Sequence, residues 1–296
     1  MVNLIAEKDY FQVEPTLNSG IDTNYAFVKP FDNYQSIQNI ITKIEQEPNT
    51  RLFILARHGQ GYHNAAVERY GEEIWDLKWA HKNGDGVLED WNDANLTEKG
   101  INQVKRTGKV VFGEKMKGIW ADSYYCSPLR RCLQTFRYEW TEKFNIEKKD
   151  QEDLKKTIDV IIKENIRETI GVHTCDWRQN KSKSYDECIK PYEDNTSDFQ
   201  IKFDYEEGFK EEDPLYSDTY RETDDDIDAR IEKALKEIWE LEDKKEAENL
   251  EYRGKVISLT CHEGVIKSAL RVLKHHPIPR LETSGVVMVI IKNTEI

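Results

Sequence analysis

Two kinds of apolar run alternate along this chain. Arg51-Leu-Phe-Ile-Leu-Ala56 is almost unbroken and of strand length, as expected for a strand buried on both faces. Runs at Ile119–Cys126, Thr157–Ile162, Lys255–Cys261 and Gly285–Ile291 predict four more strands. Between them, apolar residues recur every three or four positions, the period of a helix. Ile37, Ile40, Ile41 and Ile44 mark a helix within 34–47, and Ala66, Tyr70, Ile74 and Leu77 mark one after the first strand. Leu129, Cys132, Phe136 and Trp140 form the face of a third, while Ile227, Ile231, Ala234, Ile238 and Leu241 form that of a long fourth. Val265–Leu273 predicts a last helix. Caps support these starts: Thr97 before a further helix, Ser127-Pro128 before the third, and Thr223 with Asp224–Asp226 before the fourth,.

Strands alternating with helices predict an α/β fold, a three-layer α/β/α sandwich with a mostly parallel central sheet. The whole of 1–296 reads as a single domain with two exceptions to its regularity. Outside its one helix, segment 1–50 is irregular, with turns at Pro15, Gly20, Pro30 and Pro48. Segment 165–222 is an insertion without periodicity, but its aromatics (Trp177, Tyr185, Tyr192, Phe199, Phe203, Tyr205, Phe209) predict order. Long irregular segments inside a domain are usually functional or disordered. Together with the 80–95 loop, and with the N-terminal segment as a further candidate, this one is expected to form a substrate rim.

Composition narrows the partners. Asp plus Glu number 56 against 43 Lys plus Arg, a net charge of -13. Such a surface repels nucleic acid and anionic membranes. It leaves a phosphorylated small molecule open, because a few arginines between low-dielectric walls make a local positive field. Charges interrupt every apolar run near the start, so no secretory signal is expected. The longest purely apolar run, Val286–Ile291, is far short of the roughly 20 residues a spanning helix needs. Five cysteines without Cys-x-x-Cys spacing read as free thiols in a reducing compartment,. Asn95, Asn180 and Asn195 match the glycosylation pattern by chance on this reading. The expected location is the cytosol or the nucleus. Oligomeric state leaves no trace in the pattern.

In parallel sheets, ligands bind beyond the carboxyl ends of the strands. His58 ends the first strand there, and His262 ends the strand Val256–Cys261. Each leads towards a helix, whose unpaired N–H groups favour an anion. Gly59 and Gly264 follow, offering close backbone approach,. Ser127 also follows a strand, with Arg131 one helical turn beyond. Taken singly, each has an ordinary structural explanation; together they describe a phosphate pocket with a nucleophile.

The order of these motifs resembles the histidine phosphatase superfamily, the phosphoglycerate-mutase-like proteins. The opening arginine-histidine-glycine, with asparagine five residues on, is matched by Arg57, His58, Gly59 and Asn64. The leucine-threonine-x-x-glycine-x-x-glutamine segment is matched by Leu96, Thr97, Gly100 and Gln103. Ser127 and Arg131 match the serine-x-x-x-arginine helix start, and His262 the second histidine. Arg167-Glu168, Gly171-Val172-His173 and Cys175-Asp176-Trp177-Arg178 look like a fungal and plant phosphomutase-like subgroup.

The resemblance implies a phosphohistidine on His58, with Arg57, Arg131 and His262 neutralising the phosphoryl oxygens. It implies Glu168 as proton donor and acceptor, and no metal or other cofactor. Asn64 stands open between orienting substrate or His58 and being a plain helix-surface amide. Glu263 is an alternative acid, since an aspartate follows the second histidine in the acid-phosphatase branch; otherwise it is a first-turn helix carboxylate. His63, five residues from His58, lacks companions at a metal-binding spacing,. His173, Cys175 and Arg178 are expected to lock the insertion rather than touch substrate. Hydrolysis of phosphomonoesters is the reading preferred. A phosphomutase shares all these residues, and a non-catalytic phospho-ligand-binding module is the remaining alternative.

Overall fold

Seven strands share one sheet in a computed structural model of the chain, which describes residues 2–12, 29–193, 196–278 and 280–295. They are β1 (Leu4–Glu7), β2 (Thr50–Arg57), β3 (Ser123–Cys126), β4 (Lys156–Ile162), β5 (Phe199–Tyr205), β6 (Val256–Cys261) and β7 (Val286–Asn293). Their spatial order is β1-β7-β2-β6-β3-β4-β5. β7 runs antiparallel to both neighbours, β1 and β2, and the remaining pairs are parallel. The mostly parallel sandwich is thus the observed fold. The Pro15 and Gly20 turns and the Asn195 sequon lie outside the described residues.

The helices are α1 (Ile37–Glu45), α2 (Tyr62–Tyr70), α3 (Glu72–Ile74), α4 (Glu98–Thr107), α5 (Arg130–Asp150), α6 (Lys181–Cys188), α7 (Asp224–Glu248) and α8 (Glu263–Val272). Three of the starts have a side-chain cap. Ser36 accepts the Asn39 N–H at the head of α1, whose four isoleucines are all buried. Thr97 accepts the Gly100 N–H before α4. Thr223 and Asp226 cap one another's backbone at α7, with three aspartates in its first turn,. α5 covers one sheet face, where the Tyr124 ring stands edge-on to Trp140 at 4.8 Å. α7 and α8 cover the other, closing over Leu55 and Leu259 with Ile231, Leu235 and Ile266.

Several expectations are corrected. Segment 1–50 contributes the edge strand β1, four residues too short to show a period. The helix after β2 stops at Tyr70, because Gly71 takes φ +81; the chain resumes as α3 and a π-helical turn, Trp75–Trp79. Ile74 and Leu77 are therefore exposed rather than core. The strand expected from Ile119 begins at Ser123. α5 begins at Arg130, not at Ser127-Pro128. The insertion is not irregular throughout: it holds α6 and β5, whose Phe199 to Tyr205 pair in register with Lys156 to Ile162.

Candidate active site

Three neighbouring strands end side by side with polar residues. Arg57 closes β2 and is followed by His58; His262 follows β6, and Ser127 follows β3. β4 leads through the turn Glu164–Ile166 to Glu168. A cavity of about 480 Å³ opens over them, with Arg57, His58, Asn64, Glu168 and Glu263 in its wall. His262 and Arg131, both fully buried, sit behind that wall. The 165–222 segment adds Thr169, His173, Cys175, Asp176 and Arg221. Among the described residues, none of 80–95 lines it.

Backbone bracing fixes His58. A Cβ on Gly59 would lie 2.7 Å from the Gly100 carbonyl oxygen and 2.7 Å from Val104, so the turn rests against α4. Gly100 matches it: a Cβ there would sit 2.1 Å from the Gln60 carbonyl. Gln103 accepts the Gln60 N–H at 2.9 Å, and Thr135 of α5 accepts the Gly59 N–H at 3.1 Å. Gly59 is therefore glycine to pack on a helix, which corrects the expectation that it opens the backbone to phosphate. The leucine-threonine-x-x-glycine-x-x-glutamine segment is a brace for the turn that carries the histidine.

The His58 imidazole Nδ1 lies 2.7 Å from the Gly59 carbonyl oxygen. A carbonyl only accepts, so Nδ1 carries the proton and Nε2 keeps its lone pair. Burial pushes the His58 pKa well below its ordinary value, and Arg131 and Arg57 push it further. His262 is likewise held neutral, by burial first and then by Arg131. Its Nε2 lies 2.8 Å from Ser127 Oγ and 3.4 Å from Cys132 Sγ. Ser127 Oγ also accepts the Leu129 N–H at 3.5 Å, one turn ahead of α5 rather than as its cap. The two rings are 5.1 Å apart, centre to centre.

The two arginines are aimed by the surrounding chain. Arg131 Nη1 donates to the Cys175 carbonyl at 2.7 Å, and Nη2 pairs with Asp176 at 3.1 Å. Arg57 Nη1 donates to the Leu281 carbonyl and pairs with Glu263 at 2.6 Å. Each keeps a buried Nε that has no protein partner among the described residues. A buried donor left unpaired costs free energy, so each calls for an explanation.

The two candidate acids differ. Glu168 accepts the Thr169 N–H at 2.9 Å and the Gly264 N–H at 3.4 Å, in the first turn of α8. A Cβ on Gly264 would lie 2.1 Å from its Oε1, so that glycine makes room for the carboxylate. Glu263 holds Arg57 at 2.6 Å and Lys267 at 2.7 Å and accepts the Leu281 N–H. Burial raises its pKa, but Arg57 and Lys267 outweigh burial and leave it lowered.

Asn64 Oδ1 accepts the Gly61 N–H at 3.0 Å, so its carbonyl closes the start of α2 rather than meeting His58. His173, Cys175 and Asp176 place one possible ligand atom each within 4.8 Å of one another. The donor set does not suit a metal: Asp176 already faces Arg131 and Arg221, and burial keeps the Cys175 thiol protonated. Contrary to expectation, His173 and Cys175 lie in the cavity wall, while Arg178 does lock the insertion through Glu164 and the 210–212 carbonyls. His63, Arg221, Lys267 and Arg280 also line the cavity, and only His63 sits inside a motif that could have flagged it. All five cysteines are free and buried, and no helix among the described residues is long and apolar enough to cross a membrane.

Similar sequences agree with this architecture. The profile of the histidine phosphatase superfamily (branch 1) matches residues 53–292. A probable phosphoglycerate mutase, PMU1, of Saccharomyces cerevisiae is 37% identical over 299 residues, covering 98% of this chain and 96% of its own. Phosphomutase-like protein 3 of Candida albicans is 30% identical over 281 residues, covering 95% and 74%. Phosphoglycerate mutase-like protein 1 of Arabidopsis thaliana is 28% identical over 256 residues, covering 79% and 77%. With its motifs converging at the carboxyl ends of β2, β6 and β3, the chain belongs to the histidine phosphatase superfamily.

Proposed function

We propose that this protein hydrolyses phosphomonoesters of small molecules without a metal, through a phosphohistidine on His58. The observation that carries the reading is the lone pair left on His58 Nε2 by the bond from Nδ1 to Gly59. Nε2 attacks phosphorus, a P–N bond forms, and the bond to the leaving oxygen breaks. Glu168 gives that oxygen its proton. Glu168 then takes a proton from water, whose oxygen attacks phosphorus and frees phosphate and the imidazole. Arg57, Arg131 and His262 meet the charge spread over the phosphoryl oxygens.

Glu168 serves better than Glu263 as the acid. A proton donor must hold its proton when the bond breaks, and two cations keep Glu263 ionised. Glu263 instead fixes the Arg57 guanidinium.

Hydrolysis needs water at the intermediate. Glu168 is partly exposed, and Arg280 on the cavity wall is 68% exposed, so the wall offers water a path. Transfer back to substrate, as in a phosphomutase, is the second reading, favoured by the names of the fungal and plant relatives. Purified protein supplied with p-nitrophenyl phosphate and a chelator should release phosphate continuously, and His58→Ala should stop it. Release that survives His58→Ala would sink the proposal. Release that requires a bisphosphorylated co-substrate favours the mutase.

A further inference from the structure

His63 takes no part in the chemistry above, yet it stands in the same cavity wall, 8% exposed and 5.5 Å from His58 between ring centres. Gly61 makes space for it: a Cβ there would lie 2.8 Å from Nδ1 and 2.9 Å from Cε1. Nδ1 is buried and has no hydrogen-bond partner among the described residues. A neutral imidazole has one proton to place. On Nδ1 it would be a sealed donor with nothing to meet, the more costly of the two states. On Nε2 it can point into the cavity. Burial, then Arg131 and His58, keep the ring neutral.

His58 carries the opposite tautomer, so one ring offers a lone pair and its neighbour an N–H to the same space. The nearby cations, Arg57 and Arg131, disfavour a metal between the rings and favour an anion.

We propose that His63 donates its Nε2–H to a non-bridging oxygen of the phosphoryl group, and so is a further catalytic residue. The proposal rests on the phosphatase reading for its ligand, and its test separates the two. Orthovanadate, which mimics the five-coordinate phosphoryl group, is titrated into wild type, His63→Leu and His63→Gln, and p-nitrophenyl phosphate turnover is measured in parallel. The Leu variant should lose about 10- to 100-fold in vanadate affinity and in kcat, the scale of one charge-assisted donor. The Gln variant, with an amide N–H at similar reach, should recover most of it. Thermal midpoints should not fall in the Leu variant, since an unpaired buried polar ring has been removed. Nitrogen–proton correlation spectra should show Nε2–H for His63 and Nδ1–H for His58.

A Leu variant within about twofold of wild type on both readouts, a Gln variant as impaired as Leu, or an Nδ1–H on His63 overturns the proposal. If wild type binds vanadate but cleaves no ester, the phosphatase reading fails while vanadate affinity still decides the case of His63. If wild type does not bind vanadate, the proposal on His63 falls.

Discussion

One residue apart in sequence from a motif histidine, Glu263 had a sequence argument of its own; its surroundings decide against it. A carboxylate with Arg57 at 2.6 Å and Lys267 at 2.7 Å keeps its charge, and Glu168 accepts hydrogen bonds from Thr169 and the Gly264 N–H instead. The difference is measurable through the leaving group. Glu168→Gln should slow alkyl phosphates by about 10²–10⁴-fold, the usual share of general acid catalysis, and p-nitrophenyl phosphate far less. Glu263→Gln should slow both alike, through a less firmly held Arg57. Kinetics across a series of alcohols of rising pKa separate the two, and a steeper dependence for the Glu263 variant would reverse the assignment. His58 and Arg57 were legible as a motif. The tautomer was not, because it depends on one backbone carbonyl and on burial that no spacing reveals.

At the scale of elements, the site depends on backbone contacts that leave glycines in the sequence without stating their purpose. Gly59 and Gly100 face one another across the turn after β2, so Gly59→Ala forces a Cβ against a carbonyl and a helix. Overpacking of that kind costs about 1–3 kcal/mol, and urea midpoints should show it together with lost activity. Gly264→Ala meets the movable Glu168 carboxylate instead. It should leave the midpoint nearly unchanged and reproduce the leaving-group selectivity of Glu168→Gln. Equal destabilisation by both changes would contradict this division.

Strand and helix recognition succeeded where burial is continuous, along one face in α1 and α7 and on both faces in β2 and β6. β5 was readable in principle, since Phe199, Ile201, Phe203 and Tyr205 alternate with Gln200, Lys202 and Asp204. Its neighbourhood of acidic and aromatic residues hid that period. The continuation of α2 failed for a different reason, a positive φ at Gly71 that apolar spacing cannot register. Ser127 failed as a cap because α5 starts later, at Arg130 with Leu129 in the cap position, while its hydroxyl meets His262, 135 residues away.

Across the whole molecule, burial of ionisable groups writes a pH dependence into stability. His58, His63 and His262 are all held neutral by burial, so below about pH 6.5 the unfolded chain binds protons that the folded chain refuses,. Stability present above that value is lost as pH falls, by about 1.4 kcal/mol per pH unit for each fully titrating ring. Glu139, on α5, has the opposite sign. Both of its carboxylate oxygens are buried without a partner among the described residues, and burial pushes its pKa well above 4.5. Its contribution is full below the unfolded value of 4.5 and is lost as pH rises through the folded one,. Glu139→Gln should therefore stabilise the protein, by a margin that grows between about pH 5 and about pH 7 in urea titrations. A margin that shrinks or stays constant with pH would show that Glu139 is not held protonated. None of this was legible in sequence, where Glu139 is one acid among 56.

On the proposed mechanism, the fold, the motifs and the two arginines serve one event, transfer of a phosphoryl group to a ring nitrogen. Rapid mixing with substrate, an alkaline quench and peptide mass spectrometry can catch it, because phosphohistidine survives base and is lost in acid. The peptide containing His58 should gain one phosphoryl group within the first turnover, and the gain should vanish in His58→Ala. Turnover at the full rate with no phosphoryl group on that peptide, or with one on a different residue, would contradict the account.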